Sequence, residues 1–171
     1  MAKKSAPSKS SSRLATQTDL SDNAIPEIAE ALNGLVADSY ALYTKTKNFH
    51  WHVSGPHFRD YHLLFDDQAT EIFATVDDLA ERVRKLGAKT VRSIGEIARL
   101  QTIKDNDKDY VAPADMLVEL MNDNKLVIKR MRVAHEIADK HEDVATASIL
   151  ENFIDQAEKR NWFLFEASRK A

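Results

Sequence analysis

Apolar residues recur at helical spacing along most of this chain. Ile28, Leu32, Leu35, Val36, Leu42 and Tyr43 share one face and predict a first helix over 21–52. Ser21, Asp22 and Asn23 offer N-caps for it, and Pro26 is tolerated in its first turn. Gly55-Pro56 ends that pattern. A second helix is predicted over 57–86, stopping at Gly87. It would be about 45 Å long at the usual helical rise. A short helix follows over Ser93–Leu100, then a charged loop at Lys104–Asp109. Pro113 opens a third long helix to Lys140, with Met116, Leu120, Val127 and Met131 among its apolar residues. A break at His141–Asp143 precedes a fourth helix through Ile149, Phe153, Ile154, Phe163 and Leu164. These elements predict an all-α domain: a four-helix bundle with a short extra helix between the second and third.

Composition agrees. Four Gly and four Pro in 171 residues are too few to punctuate a β-sandwich or barrel. One domain accounts for the length. No apolar run reaches the ~18–20 residues needed to cross a bilayer. The basic start has no apolar stretch behind it, so no secretory signal is read. The expected location is the cytoplasm, with no membrane partner.

Charge divides the chain in two. Residues 1–18 carry Lys3, Lys4, Lys9 and Arg13 and no acid, a net +4. The other 20 bases and all 27 acids lie in 19–171, a net −7. Residues 1–20, Ser/Lys-rich and almost free of large apolar side chains, are expected to be a disordered basic tail on a bundle spanning 21–171. Such a tail is either an inert solubilising arm or a polyanion-binding one. An acidic body suits cations.

With no Cys, any metal must be held by His and carboxylate, which suits iron, manganese or zinc. His50, His62, Asp66, Asp77 and Glu81 are the candidate ligands. On the second helix, with His62 at 0°, Asp66 falls at about 40°, Asp77 at about 60° and Glu81 at about 100°. Leu64, Phe65, Ile72, Val76, Leu79, Val83 and Leu86 occupy about 200–320°. The ligand types therefore form a stripe beside the apolar face. His62/Asp66 and Asp77/Glu81 are each i, i+4 pairs. Asp66 and Asp77, however, are about 16 Å apart by helical rise, whereas first-shell ligands lie about 2 Å from a metal. One copy of this helix cannot close a site. Two copies, antiparallel across a two-fold near residues 71–73, close two. Phe73 and Ala80 on the same stripe supply apolar contact. His50 falls on the inward side of the first helix and His52 on the other. The competing reading is a solvated, salt-bridged surface, with pairs such as Glu81–Lys85 and Asp78–Arg82.

The string NFHWHVSGPHFRDYHLLFDDQ, followed by VDDLAERVRKLG, resembles the Dps family, the DNA protection during starvation proteins of ferritin-like fold. The similarity runs from about residue 22 to the end. It implies a hollow homododecamer of ferritin-like four-helix bundles with two-iron ferroxidase sites between two-fold-related chains. Carried over by motif, the ligands are His50, His62, Asp66, Asp77 and Glu81, with zinc or manganese as substitutes for iron. Trp51 matches the family's Trp beside the site, either as interface packing or as an electron donor. The implied function is oxidation of Fe(II), preferentially by hydrogen peroxide, with ferric mineral stored inside and DNA protected from oxidative damage. Non-specific DNA binding through Lys3, Lys4, Lys9 and Arg13 would place the protein at the nucleoid. The alternative is a nucleoid protein whose main role is DNA condensation. Asp67 and Glu71 are candidates for mineral nucleation, and Asp139, Glu142 and Asp143 for an acidic entry pore. The chain has no Glu-x-x-His, the in-bundle di-iron signature.

Overall fold

A computed structural model describes residues 14–169. Five helices follow in order: α1 (Ala24–His52), α2 (Phe58–Lys85), α3 (Ile94–Leu100), α4 (Pro113–Lys140) and α5 (Val144–Ser168). No strand occurs among the described residues. Short turns join α1 to α2 and α4 to α5, so each pair packs as an antiparallel hairpin. Contacts between α1 and α4 join the hairpins, and α3 lies on α1 within the long crossover. The core holds Ile28, Leu32, Leu35, Leu42 and Phe49 of α1, and Phe65, Ile72, Leu79 and Val83 of α2. Met116, Leu120, Val127, Met131, Leu150, Phe153 and Leu164 complete it. Among the described residues, no helix is long and apolar enough to cross a membrane.

The ends of α2 and α4 are set by backbone geometry. At α2, the Gly87 amide donates to Arg84 O (2.9 Å) and the Ala88 amide to Val83 O (3.2 Å), a Schellman closure. Gly87 has φ +84, and an added Cβ would lie 3.2 Å from the Thr16 backbone nitrogen. The backbone conformation thus favours glycine there, and a side chain would also press on the Thr16 backbone. At α4, Glu142 takes the same left-handed role with φ 58, while Glu142 and Asp143 amides donate to Asp139 O and Ala138 O.

Residues 14–20, expected to belong to the free arm, instead strap the end of α2. The Thr16 hydroxyl donates to Arg84 O (3.1 Å), and the Arg84 guanidinium donates to Leu14 O (2.8 Å). Lys3, Lys4, Lys9 and Arg13 lie outside the described residues.

One crossover anchor was not visible as a pattern. Asp38, fully buried on α1, accepts from the Thr102 amide (2.5 Å) and hydroxyl, the Ile103 amide (3.3 Å) and the Arg130 guanidinium. Arg130 crosses α1 above Gly34, where an added Cβ would collide with the guanidinium.

Candidate metal centre

The Val53–His57 reversal brings the end of α1 beside the start of α2. There His50 and His62 stack with ring centroids 3.8 Å apart. His50 Nδ1 lies 2.8 Å from His62 O, and His62 Nδ1 lies 2.8 Å from His50 O. A carbonyl oxygen only accepts, so each Nδ1 carries the proton and donates it. In the tautomer this selects, the Nε2 lone pair is the one open to a metal. Outer hydrogen bonds of this kind fix the tautomer of metal-binding histidines. His50 Nε2 lies 3.9 Å from Asp66 Oδ1. His52 faces elsewhere: it is exposed, with its Nδ1 2.8 Å from Asn48 O.

Asp66 is held by a group absent from the sequence reading. Lys47 Nζ sits 2.6 Å from Asp66 Oδ1. This hydrogen bond holds the Asp66 carboxyl below its ordinary range. Lys47 could have been found by spacing, since it precedes His50 by three residues on α1. Its ammonium also lies 5.8 Å from the centroid of Trp51, which is 62% exposed.

Asp77 and Glu81 occupy the exposed stripe farther along α2. Glu81 pairs with Lys85 at 3.1 Å, the i, i+4 contact that the surface reading anticipates. Asp78 does not hold Arg82, which turns to Asp143 instead. Between the half-sites Phe73 is 47% exposed against Tyr43 and Tyr40, with ring centroids at 4.8 and 6.0 Å. Val36, Val76, Ala80 and Val91 line the shallow concavity beside it. Among the described residues, no three His, Asp or Glu side chains gather closely enough to hold a metal ion. A single chain thus presents His50/His62/Asp66 at one end of an apolar patch and Asp77/Glu81 at the other.

The remaining acidic candidates separate. Asp67 is exposed. Glu71 is engaged by Lys159 (3.2 Å) and Arg160 (3.6 Å), as a salt-bridged face requires. Asp139 is exposed beside His135 (3.3 Å), and Glu142 is exposed at its turn. Asp143 is corrected as a pore candidate. It is buried, caps α5 by accepting from the Thr146 amide (3.0 Å) and hydroxyl (2.5 Å), and pairs with Arg82 (2.6 Å). Burial pushes its carboxyl up, but the Arg82 and Thr146 hydrogen bonds outweigh this and hold it below the usual range. A lowered folded pKa contributes stability above the unfolded value, lost as pH falls through the folded one. Asp143→Asn should therefore cost about 2–3 kcal/mol near pH 7. The gap to wild type should narrow as pH falls below the ordinary carboxylate range and through the lowered Asp143 value. Urea titrations across pH check this; a gap independent of pH contradicts it.

A ferritin-like domain model matches residues 29–170. DNA protection during starvation protein 2 of Bacillus anthracis is 33% identical over 139 residues, covering 81% of this chain and 94% of that one. The Dps structure from Thermosynechococcus elongatus superposes with a TM-score of 0.84 at 30% identity, covering 87% of this chain and 94% of that one. The Dps protein of Vibrio cholerae O1, described as one of the ferritin-like diiron-carboxylate proteins, gives a TM-score of 0.84 at 26% identity, covering 91% and 98%.

Proposed function

Because the chain belongs to the Dps family of ferritin-like proteins, we propose that two copies pair antiparallel along α2 to build two intersubunit centres that bind and oxidise Fe(II). The observation that carries this reading is the reciprocal His50–His62 pair, each ring engaged through Nδ1, with His50 Nε2 3.9 Å from Asp66 Oδ1. In each centre His50, His62 and Asp66 of one chain meet Asp77 and Glu81 of the other. Two imidazole nitrogens and three carboxylates are a donor set suited to iron. The carboxylate charge favours the ferric over the ferrous state and so favours oxidation.

Hydrogen peroxide is the preferred oxidant in this reading. Two ferrous ions each give up one electron, the O–O bond breaks, and two protons complete two waters. Pairing the electrons avoids release of hydroxyl radical. The ferric product is stored as mineral inside a homododecamer, with Asp67 and Glu71 as nucleation candidates. Asp139 and Glu142 remain the candidates for an acidic entry route. Stopped-flow oxidation of Fe(II) by peroxide and by dioxygen, with particle size measured alongside, tests the reading. It requires a large particle that consumes about two Fe(II) per peroxide, faster than with dioxygen; a monomer without peroxide-dependent oxidation would sink it.

A second activity is supported by the basic segment on an acidic body. We assign Lys3, Lys4, Lys9 and Arg13 to non-specific contact with DNA phosphates, multiplied by the copies in the shell. In this reading the protein works in the cytoplasm, at the nucleoid. Deleting residues 1–13 leaves the strap intact and is expected to abolish gel retardation. Full-length retardation should weaken by about 10²-fold or more between 50 and 200 mM salt. Unchanged retardation by the truncated chain contradicts the assignment.

A further inference from the structure

The metal centre contains a cation of its own. Lys47 reaches from α1 to α2 and donates to Oδ1 of Asp66, the same oxygen that faces His50 Nε2. A divalent ion that used this oxygen together with His50 would have to compete with the ammonium for it. Lys85 stands similarly on Glu81, but both of those side chains are more than half exposed, at 59% and 56%. Solvent screens that pair strongly. In the Lys47–Asp66 pair the ammonium is 18% exposed and the carboxylate 48%, so this is the less screened of the two pairings a metal would meet.

We propose that Lys47 is a displaceable stand-in cation, which neutralises Asp66 in the metal-free protein and must be expelled before a divalent ion can use that carboxylate. The inference rests on the metal-centre reading above. Lys47 acts through Asp66 and is a positioning residue. An ion held by the two Nε2 atoms alone meets no competitor, whereas one that needs Asp66 competes with a tethered ammonium. The site therefore fills in two unequal steps. The expelled ammonium already lies within cation–π range of the Trp51 ring and needs only a short swing toward it.

Calorimetric titration of the full-length assembled protein with Co(II), without oxidant, separates the outcomes. Lys47→Met keeps the aliphatic stem and removes the charge. It is expected to tighten the weaker Co(II) step on the order of tenfold, the scale of a charge-assisted hydrogen bond. Lys47→Arg keeps a competing cation and is expected to titrate like wild type. A merely structural lysine would weaken binding on removal. Unchanged or weaker binding by Lys47→Met, or equal tightening by Lys47→Arg, overturns the proposal. The metal-centre reading fails separately: wild type would then bind no Co(II), or His62→Ala would bind as wild type does.

Discussion

Replacing His62 by Ala, or Asp77 by Ala, is expected to slow peroxide-driven Fe(II) oxidation by more than about 100-fold. Loss of an outer-shell partner already costs about 10–100-fold in metal sites, and these residues are assigned to the ligand shell itself. The two substitutions act for different structural reasons. His62→Ala removes an Nε2 donor and also the ring stacked on His50. It further deprives His50 O of the Nδ1–H it accepts from. Asp77 is exposed on the single chain and has no hydrogen-bond or salt-bridge partner among the described residues, so its removal should leave the fold intact. Initial rates at saturating Fe(II), with helical content and particle size as controls, decide the matter. A near-normal rate in both variants removes the assignment.

The second large effect is on stability. Asp38→Ala is expected to cost about 3–5 kcal/mol, because it strands the Arg130 guanidinium and the Thr102 and Ile103 amides. That is a large share of the ~5–15 kcal/mol typical of a folded domain. Arg130→Met added to Asp38→Ala should cost less than the two singly combined, since the unpaired charge is gone. Urea midpoints for the four proteins of this cycle measure it. A single-variant loss below about 1 kcal/mol would show that the crossover is not anchored there.

The long helices were legible because each carries a sustained apolar face with a readable stop. Pro113 and Lys140 bound α4, and Gly87 ends α2 through a backbone conformation that other residues resist. The first helix starts at Ala24 rather than 21: Ser21 O and Oγ accept from the Ala24 amide, so Ser21 forms a turn before the helix. His50 and His62 were brought together by facing direction on either side of Gly55-Pro56, and they do stack. Side chains that reach between elements were not legible. Arg82 follows Asp78 at i, i+4, yet buried Asp143 on a later turn offers the better-desolvated partner. Lys47 lies one turn before His50 on α1, a spacing that marks it as a neighbour of the site, but its pairing arises only when α2 brings Asp66 to it. The end of the predicted tail was misread for the same reason. Thr16 and Leu14 are locally unremarkable, and only the α2 terminus supplies the groups that order them.

The proposed metal centre is shared between two chains. Mixing the two inactive variants tests it most directly. His62→Ala and Asp77→Ala chains are co-assembled in equal amounts, and peroxide-dependent Fe(II) oxidation is compared with each alone. In a mixed pair, one centre collects both lesions and the other collects none. Random pairing makes half of the pairs mixed, so about a quarter of wild-type sites should return. Recovery of activity near that level is the predicted result. A mixture as inactive as its components, despite demonstrated co-assembly, would contradict a shared centre.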